Sequence, residues 1–258
     1  MRTLVVLISH LFNDMIVDRY KDLERSLLDN QELILAHPVE HTESFFIKNN
    51  INHLACVPAK NYIDEKNWRL LDNTGLFLDI YERKPGFDYY WLIEYDVTIN
   101  TRKSDKFREI FEYFDELKAD VVCDHVNSYT TNHYYNARYS WNALNDWYPA
   151  IKELGLTKKD IHFGFYPICR LSKKFLEEYK NSPEYQTIYF EIGITTMAYM
   201  KDMCIHSFIN KFSTVDDLTQ DKWQNMMNIG SNSWQRKEYK SYYQYPEGCI
   251  IHPVKSYD

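Results

Sequence analysis

The run Tyr89-Tyr90-Trp91-Leu92-Ile93, continued by Glu94-Tyr95-Asp96-Val97, constrains the fold more than any other segment of this chain. Every position before Glu94 is apolar or aromatic, so a strand made of it has no face suited to water and belongs in a sheet covered on both sides. The run ends in two carboxylates spaced i, i+2, which a strand points to one side. Like charges so placed repel unless a cation, a proton or basic side chains compensate them. A hard divalent cation such as Mg²⁺ or Mn²⁺ is one answer, because such ions take oxygen ligands and sit between one or two carboxylates and substrate phosphates. An ordinary strand end with two solvated acids is the other.

The surrounding pattern agrees with a covered sheet. A continuous apolar strand over 3–9 is followed by Asn13-Asp14, a cap for a helix with Ile16, Tyr20, Leu23 and Leu27 at helical spacing. Short buried strands are expected over 32–36 and 54–57, a helix over 64–81 carrying Trp68, Leu71 and Leu78, and the strand over 89–97 after it. Ser104 is the expected cap of a helix with Phe107, Ile110, Phe111, Phe114 and Leu117 on one face, leading to a strand over 120–123. This alternation predicts an α/β fold, a mostly parallel central sheet flanked by helices. In such sheets ligands gather at the carboxyl ends of the strands, where Ser9-His10, Glu94-Tyr95-Asp96 and Asp124-His125 fall. Beyond, 127–147 reads as a long loop, 161–171 and 203–208 as strands, and 172–179 and 191–200 as helices. No repeat or linker interrupts the 258 residues, so one compact domain over 1–258 is expected.

The net charge of −7 and the absence of a long basic run argue against nucleic-acid binding. Five scattered cysteines without a C-x-x-C pair read as reduced core thiols rather than a disulfide framework or a zinc site. The apolar start, Leu4 to Ile8, is too short for a signal peptide, and no stretch approaches the ~20 apolar residues of a spanning helix. A cytoplasmic protein without a transmembrane segment is the expectation, with peripheral membrane contact through surface aromatics left open. The 22 tyrosines and six tryptophans offer platforms for sugars or bases, or reflect compositional bias alone.

Three further places carry chemistry or ordinary structure. His252 follows the apolar Cys249-Ile250-Ile251 and precedes Pro253, which favours an extended strand end. There it can complete a metal site, with Lys255 reaching a phosphate as a point charge, or both are plain surface residues. Glu191 precedes a small, apolar stretch and sits at a helix start, where an acid in the first turn stabilises the helix dipole; alternatively, burial would raise its pKa toward that of a general base. His162 and Tyr166 flank Gly164, a point of close approach for a ligand or for core packing. The other histidines, His37, His53 and His206 among them, show no partners at ligand spacing. Asp216-Asp217 is read as a solvated cap with a smaller chance of touching substrate, and no glycine-rich phosphate loop or G-x-S-x-G elbow is present.

The apolar strand ending in Glu94-Tyr95-Asp96, after an opening nucleotide-type half-sheet, resembles the D-x-D strand of GT-A glycosyltransferases, and Ile251-His252-Pro253 resembles the late metal-binding histidine of many of them. The resemblance implies a fold of the nucleotide-diphospho-sugar transferase type, with a nucleotide-sugar-binding half over 1–126 and an acceptor-binding half and tail over 127–258. It implies Mn²⁺ or Mg²⁺ held by Asp96 and His252, with Glu94 nearer the donor's ribose or sugar. Ser9 and His10 would contact the nucleotide, Lys255 the phosphates, and Glu191 would be the base of an inverting transfer to a carbohydrate or glycolipid acceptor, as in bacterial surface polysaccharide or lipooligosaccharide synthesis. The chain departs from the pattern in having Glu94 where the family has Asp. A nucleotidyltransferase is the enzymatic rival, although Ser9-His10-Leu11-Phe12-Asn13 lacks the glycine- and basic-rich triphosphate loop. A non-catalytic carbohydrate- or nucleotide-binding protein on the same fold is the other.

Overall fold

The computed structural model describes residues 1–38, 43–58, 60–63, 69–99, 101–124, 126–130, 140–208 and 250–251, with 60–63, 69–71 and 251 as backbone only. The chain runs through β1 (Thr3–Ile8), α1 (Asp14–Ser26), β2 (Gln31–Pro38), α2 (Glu43–Asn49) and β3 (His53–Cys56). A hairpin of β4 (Lys60–Ile63) and β5 (Arg69–Asp72) precedes α3 (Thr74–Arg83), β6 (Tyr89–Glu94) and β7 (Thr98–Ile99). Then come α4 (Arg108–Asp115), β8 (Val121–Cys123), β9 (Val126–Ser128), α5 (Trp141–Trp147) and α6 (Pro149–Glu153). The last part contains β10 (His162–Gly164), β11 (Ile168–Ser172), α7 (Lys173–Lys180), α8 (Phe190–Met200), β12 (Ile205–Ser207) and β13 (Ile250–Ile251).

Seven strands form the central sheet in the order β12-β8-β11-β6-β1-β2-β3. All neighbours pair parallel except β11, which is antiparallel to both β6 and β8. The mostly parallel, helix-flanked α/β sheet predicted from the alternation is therefore present. Period-two alternation divides β6 between the faces: Tyr90 and Leu92 join Phe77, Ile80 and Phe175 on one side, while Trp91 and Ile93 join Ile16, Tyr20 and Phe111 on the other. Each such side chain contributes about 1.5–3 kcal/mol on burial, which is why the run tolerates no polar residue before Glu94.

Register aligns the strand ends. Ile8 is level with both Ala36 and Glu94, so β1, β2 and β6 release their chains along one edge. On α1, the Asn13 side chain accepts the Ile16 N–H at 3.3 Å, the cap expected there.

Several boundaries differ from expectation. Residues 69–72 are strand, and the helix foreseen over 64–81 begins only at Thr74. Asp72 Oδ1 accepts the Thr74 N–H at 2.7 Å, a local bond that stops helical winding at that point; Leu71 therefore lies on β5, and Trp68 is outside the described residues. Ser104 does not cap α4: its carbonyl accepts Arg25 Nε, and Ser26 Oγ on α1 accepts the Phe107 N–H instead. The segment 127–147 contains β9 and α5, the latter capped by Ser140. The strand foreseen over 161–171 is two, since Pro167 has no N–H to donate: β10 pairs with β9, and β11 enters the central sheet. The short α2, which buries only Phe46, is a further difference from expectation.

Candidate functional site

A cleft of about 340 Å³ opens at the carboxyl ends of β1, β2 and β6. Ser9 and His10 come to it from β1, His37 and Pro38 from β2, Asn73 from the start of α3, and Glu94, Tyr95 and Asp96 from β6. Its β2–β3 end is apolar, with Ala36, Pro38, Val57, Pro58 and Leu76, and its β6 end is acidic.

The acidic end is shaped by a turn. The Tyr95 N–H donates to the Ile8 carbonyl at 3.0 Å, one step beyond the β1–β6 ladder, and the Val97 N–H then closes on the Glu94 carbonyl at 3.0 Å. The strand foreseen over 89–97 thus ends at Glu94, and Asp96 belongs to the turn. The two acids share a cleft because the chain folds over there, not because a strand points i and i+2 to one face. Glu94 is half-buried, and its Oε1 stands 3.4 Å from Asn73 Nδ2. Asp96 is only 2% exposed.

Ser9 and His10 stand where the sequence placed them. The Ser9 hydroxyl donates to the Leu11 carbonyl and accepts the Leu11 N–H, both at 3.0 Å, holding the β1–α1 loop tight. His10 is exposed and meets the Tyr95 ring edge-on, with centroids 5.1 Å apart.

Sequence reasoning passed over His37, Pro38 and Asn73. The expected β2 stopped at Ala36; extending the buried run to Pro38 delivers His37 to the same edge as His10. Nor is His37 without a partner: its Nδ1 is 2.8 Å from the Pro38 carbonyl and its Nε2 is 3.1 Å from His53 Nδ1. The Pro38 contact assigns the proton to Nδ1, so Nε2 accepts from His53. Burial lowers the His37 pKa; the Pro38 carbonyl opposes this and His53 adds to it.

Glu191 occupies the first turn of α8, as foreseen, but is not among the residues lining this cleft. A chain of hydroxyls ties its backbone to the same sheet edge. Thr195 Oγ1 donates to the Glu191 carbonyl at 3.1 Å and therefore accepts from Tyr166 Oη at 2.7 Å. Tyr166 lies in the link whose Phe165 carbonyl accepts the Asp124 N–H and whose Pro167 carbonyl accepts the Glu94 N–H. Cys123 and Cys169 lie buried beside it; burial pushes both thiols up, with Glu191 adding at Cys123 and Glu94 at Cys169. Gly164 serves core packing, since a Cβ there would stand 2.7 Å from both Thr195 Oγ1 and the Tyr166 ring. Asp124 is fully buried and does not line the cleft.

Glu94 and Asp96 offer oxygen donors of the kind a hard divalent cation takes alongside substrate phosphates, so the donor set fits Mn²⁺ or Mg²⁺. Among the described residues no three His, Cys, Asp or Glu side chains converge as a ready-made metal site. His252, Lys255, His125 and Asp216-Asp217 lie outside the described residues. The strand that leads to His252 is described: β13 pairs antiparallel with β7, Ile251 opposite Thr98, two residues from Asp96. No described helix is long and apolar enough to cross a membrane.

No protein-family profile matches the chain, and no curated protein matches it. Among solved structures it is similar to the glycosyltransferase GlyE of Streptococcus pneumoniae, at 7% identity and TM-score 0.45, covering 99% of this chain and 55% of that one. It is similar to the galactosyltransferase LgtC, in complex with donor and acceptor sugar analogues, at 10% identity and TM-score 0.45, covering 78% of this chain and 72% of that one. A third is CMP:2-keto-3-deoxy-manno-octonic acid synthetase with CTP, at 12% identity and TM-score 0.44, covering 81% and 89%. The chain thus spans about half the length of GlyE.

Proposed function

We propose that the cleft binds a nucleotide-diphosphate sugar and that the chain transfers the sugar to a carbohydrate or glycolipid acceptor. One observation carries the reading: Asp96 lines a cleft at the carboxyl edge of the sheet, and the strand preceding His252 is paired to β7 two residues from Asp96. The polarity of the cleft supports an orientation. The apolar end at Ala36, Pro38 and Val57 receives the base, Ser9 and His10 contact the nucleoside, and the acidic end faces the diphosphate.

Asp96 and His252 would hold Mn²⁺ or Mg²⁺, with Glu94 toward the ribose or sugar hydroxyls and Lys255 toward the phosphates. When bound, the ion neutralises charge on the departing diphosphate. Glu191 is the base in this scheme: it takes the acceptor hydroxyl proton as that oxygen bonds to the anomeric carbon and the bond to diphosphate breaks, with inversion. The donor occupies the 1–126 half and the acceptor the 127–258 half. A bacterial surface polysaccharide or lipooligosaccharide pathway on the cytoplasmic side fits this chemistry, and the buried free thiols Cys56, Cys123 and Cys169 are compatible with a reducing compartment.

A thermal-shift screen of nucleotide sugars with and without Mn²⁺ tests the reading. Stabilisation by one nucleotide class, increased by Mn²⁺, is expected, since a ligand of the native state raises the midpoint by mass action. No shift with any nucleotide or nucleotide sugar would refute it.

A further inference from the structure

A buried arginine sits behind the acidic end of the cleft. Arg19, halfway along α1, is 1% exposed, and its Nη1 donates to Thr98 Oγ1 at 2.6 Å. Asp22 Oδ2 lies 3.9 Å from the same nitrogen, and Asp22 also receives Arg25 and Lys106. One carboxylate is thus shared by three cations. Burying a guanidinium costs more than burying a methionine or leucine of similar size, which this inner helix face would otherwise accommodate. What the arginine supplies that they cannot is a charged, directional donor to Thr98.

Thr98 is fully buried and opens β7. On one side it follows Val97, whose N–H closes the Glu94 turn that contains Asp96. On the other it is the register partner of Ile251. α1 is itself fixed, with Ile16, Tyr20 and Leu23 in the core and Ser26 Oγ bonded to the Phe107 N–H. A helix packed into the core thus meets, through one side chain, the residue that lies between the Asp96 turn and the 250–251 strand.

We infer that Arg19 is a positioning residue for the Asp96 turn, acting through its hydrogen bond to the Thr98 hydroxyl; the consequence for metal binding rests on the donor-site reading above. Thr98→Val removes the acceptor and keeps the shape, whereas Thr98→Ser keeps the acceptor. Arg19→Met keeps most of the stem and loses the donor.

The test measures two quantities on the full chain: hydrogen exchange of the amides over 95–99, and binding of Mn²⁺ alone, followed by loss of the free-ion resonance signal. Thr98→Val and Arg19→Met are expected to raise exchange there about tenfold and to weaken Mn²⁺ about tenfold, the lower end of what removing an outer-shell partner does. Thr98→Ser should match the wild type on both. Unchanged exchange in Thr98→Val overturns the inference, as does faster exchange with wild-type Mn²⁺ affinity. Faster exchange in Thr98→Val while the wild type takes up no Mn²⁺ supports the hold of Arg19 on the turn and overturns binding of the free ion at Asp96, which would then need the diphosphate as co-ligand.

Discussion

His37 Nε2 stands 3.1 Å from His53 Nδ1, joining the rim of the cleft to the first residue of β3. Phe46 lies against both rings, with centroids 4.7 Å from His37 and 4.0 Å from His53, and Phe12 meets His37 edge-on. Burial holds the His37 pKa below its ordinary value, so the unfolded chain takes up this proton before the folded one. The stabilising contribution of neutral His37 is complete above about pH 6.5 and declines as pH falls through the lowered folded value. The unfolding midpoint should drop between pH 7 and 5 in the wild type and drop less in His37→Asn. Equal slopes in a pH series of thermal melts would contradict this.

Asn73 donates to Glu94 but makes no side-chain capping bond to α3, so the two functions of such a residue separate here. Asn73→Ala should leave the melting temperature nearly unchanged and weaken nucleotide-sugar binding by about three- to tenfold, the loss expected for a long bond to a charged group. Calorimetry beside a melt distinguishes these. A large loss of stability with unchanged affinity would place Asn73 in the fold rather than the site.

Asp120 closes the opposite edge of the sheet. Burial opposes its ionisation, but Lys174 Nζ, the Cys204 N–H and the Ser172 hydroxyl outweigh this and keep its pKa below the ordinary value. Its contribution is therefore present above about pH 4 and lost as pH falls through the lowered folded value. Asp120→Ala should cost about 1–3 kcal/mol, since it removes the acceptor of the buried Ser172 hydroxyl and of the part-buried Cys204 N–H. Lys174→Ala, at a largely exposed partner, should cost less than about 1 kcal/mol. Urea unfolding of the two variants at pH 7 checks the ordering.

Gly164→Ala places a methyl 2.7 Å from Thr195 Oγ1 and the Tyr166 ring, between β10 and α8. Overpacking of this kind should cost about 1–3 kcal/mol. Adding Thr195→Ala should recover only part of it, because the Tyr166 ring still blocks the methyl. Full recovery in the double variant would show that Tyr166 yields freely.

Where side-chain periodicity decides structure, the fold is legible in the sequence. The apolar faces of α1 and α4 and the two-faced run of β6 fix their own layers, and the alternation fixed a mostly parallel sheet. The reversed β11 was not legible, because antiparallel and parallel buried strands share one pattern. Local side-chain bonds also escaped, notably Asp72 to Thr74, which shortens a helix, and Ser26 to Phe107, which caps one from another element. At the site, strand-end logic found Ser9, His10, Glu94 and Asp96. It missed His37, whose strand runs two residues further than expected, and Asn73, which reaches the cleft only through the packing of α3.

Whether Asp96 marks a nucleotide-diphosphate site is decided by calorimetric titration of the stabilising nucleotide into wild type and Asp96→Asn, with and without Mn²⁺. Mn²⁺ should strengthen wild-type binding at least tenfold, and Asp96→Asn should melt as the wild type does while losing the Mn²⁺ increment. Equal Mn²⁺-dependent affinity in the two proteins would contradict it.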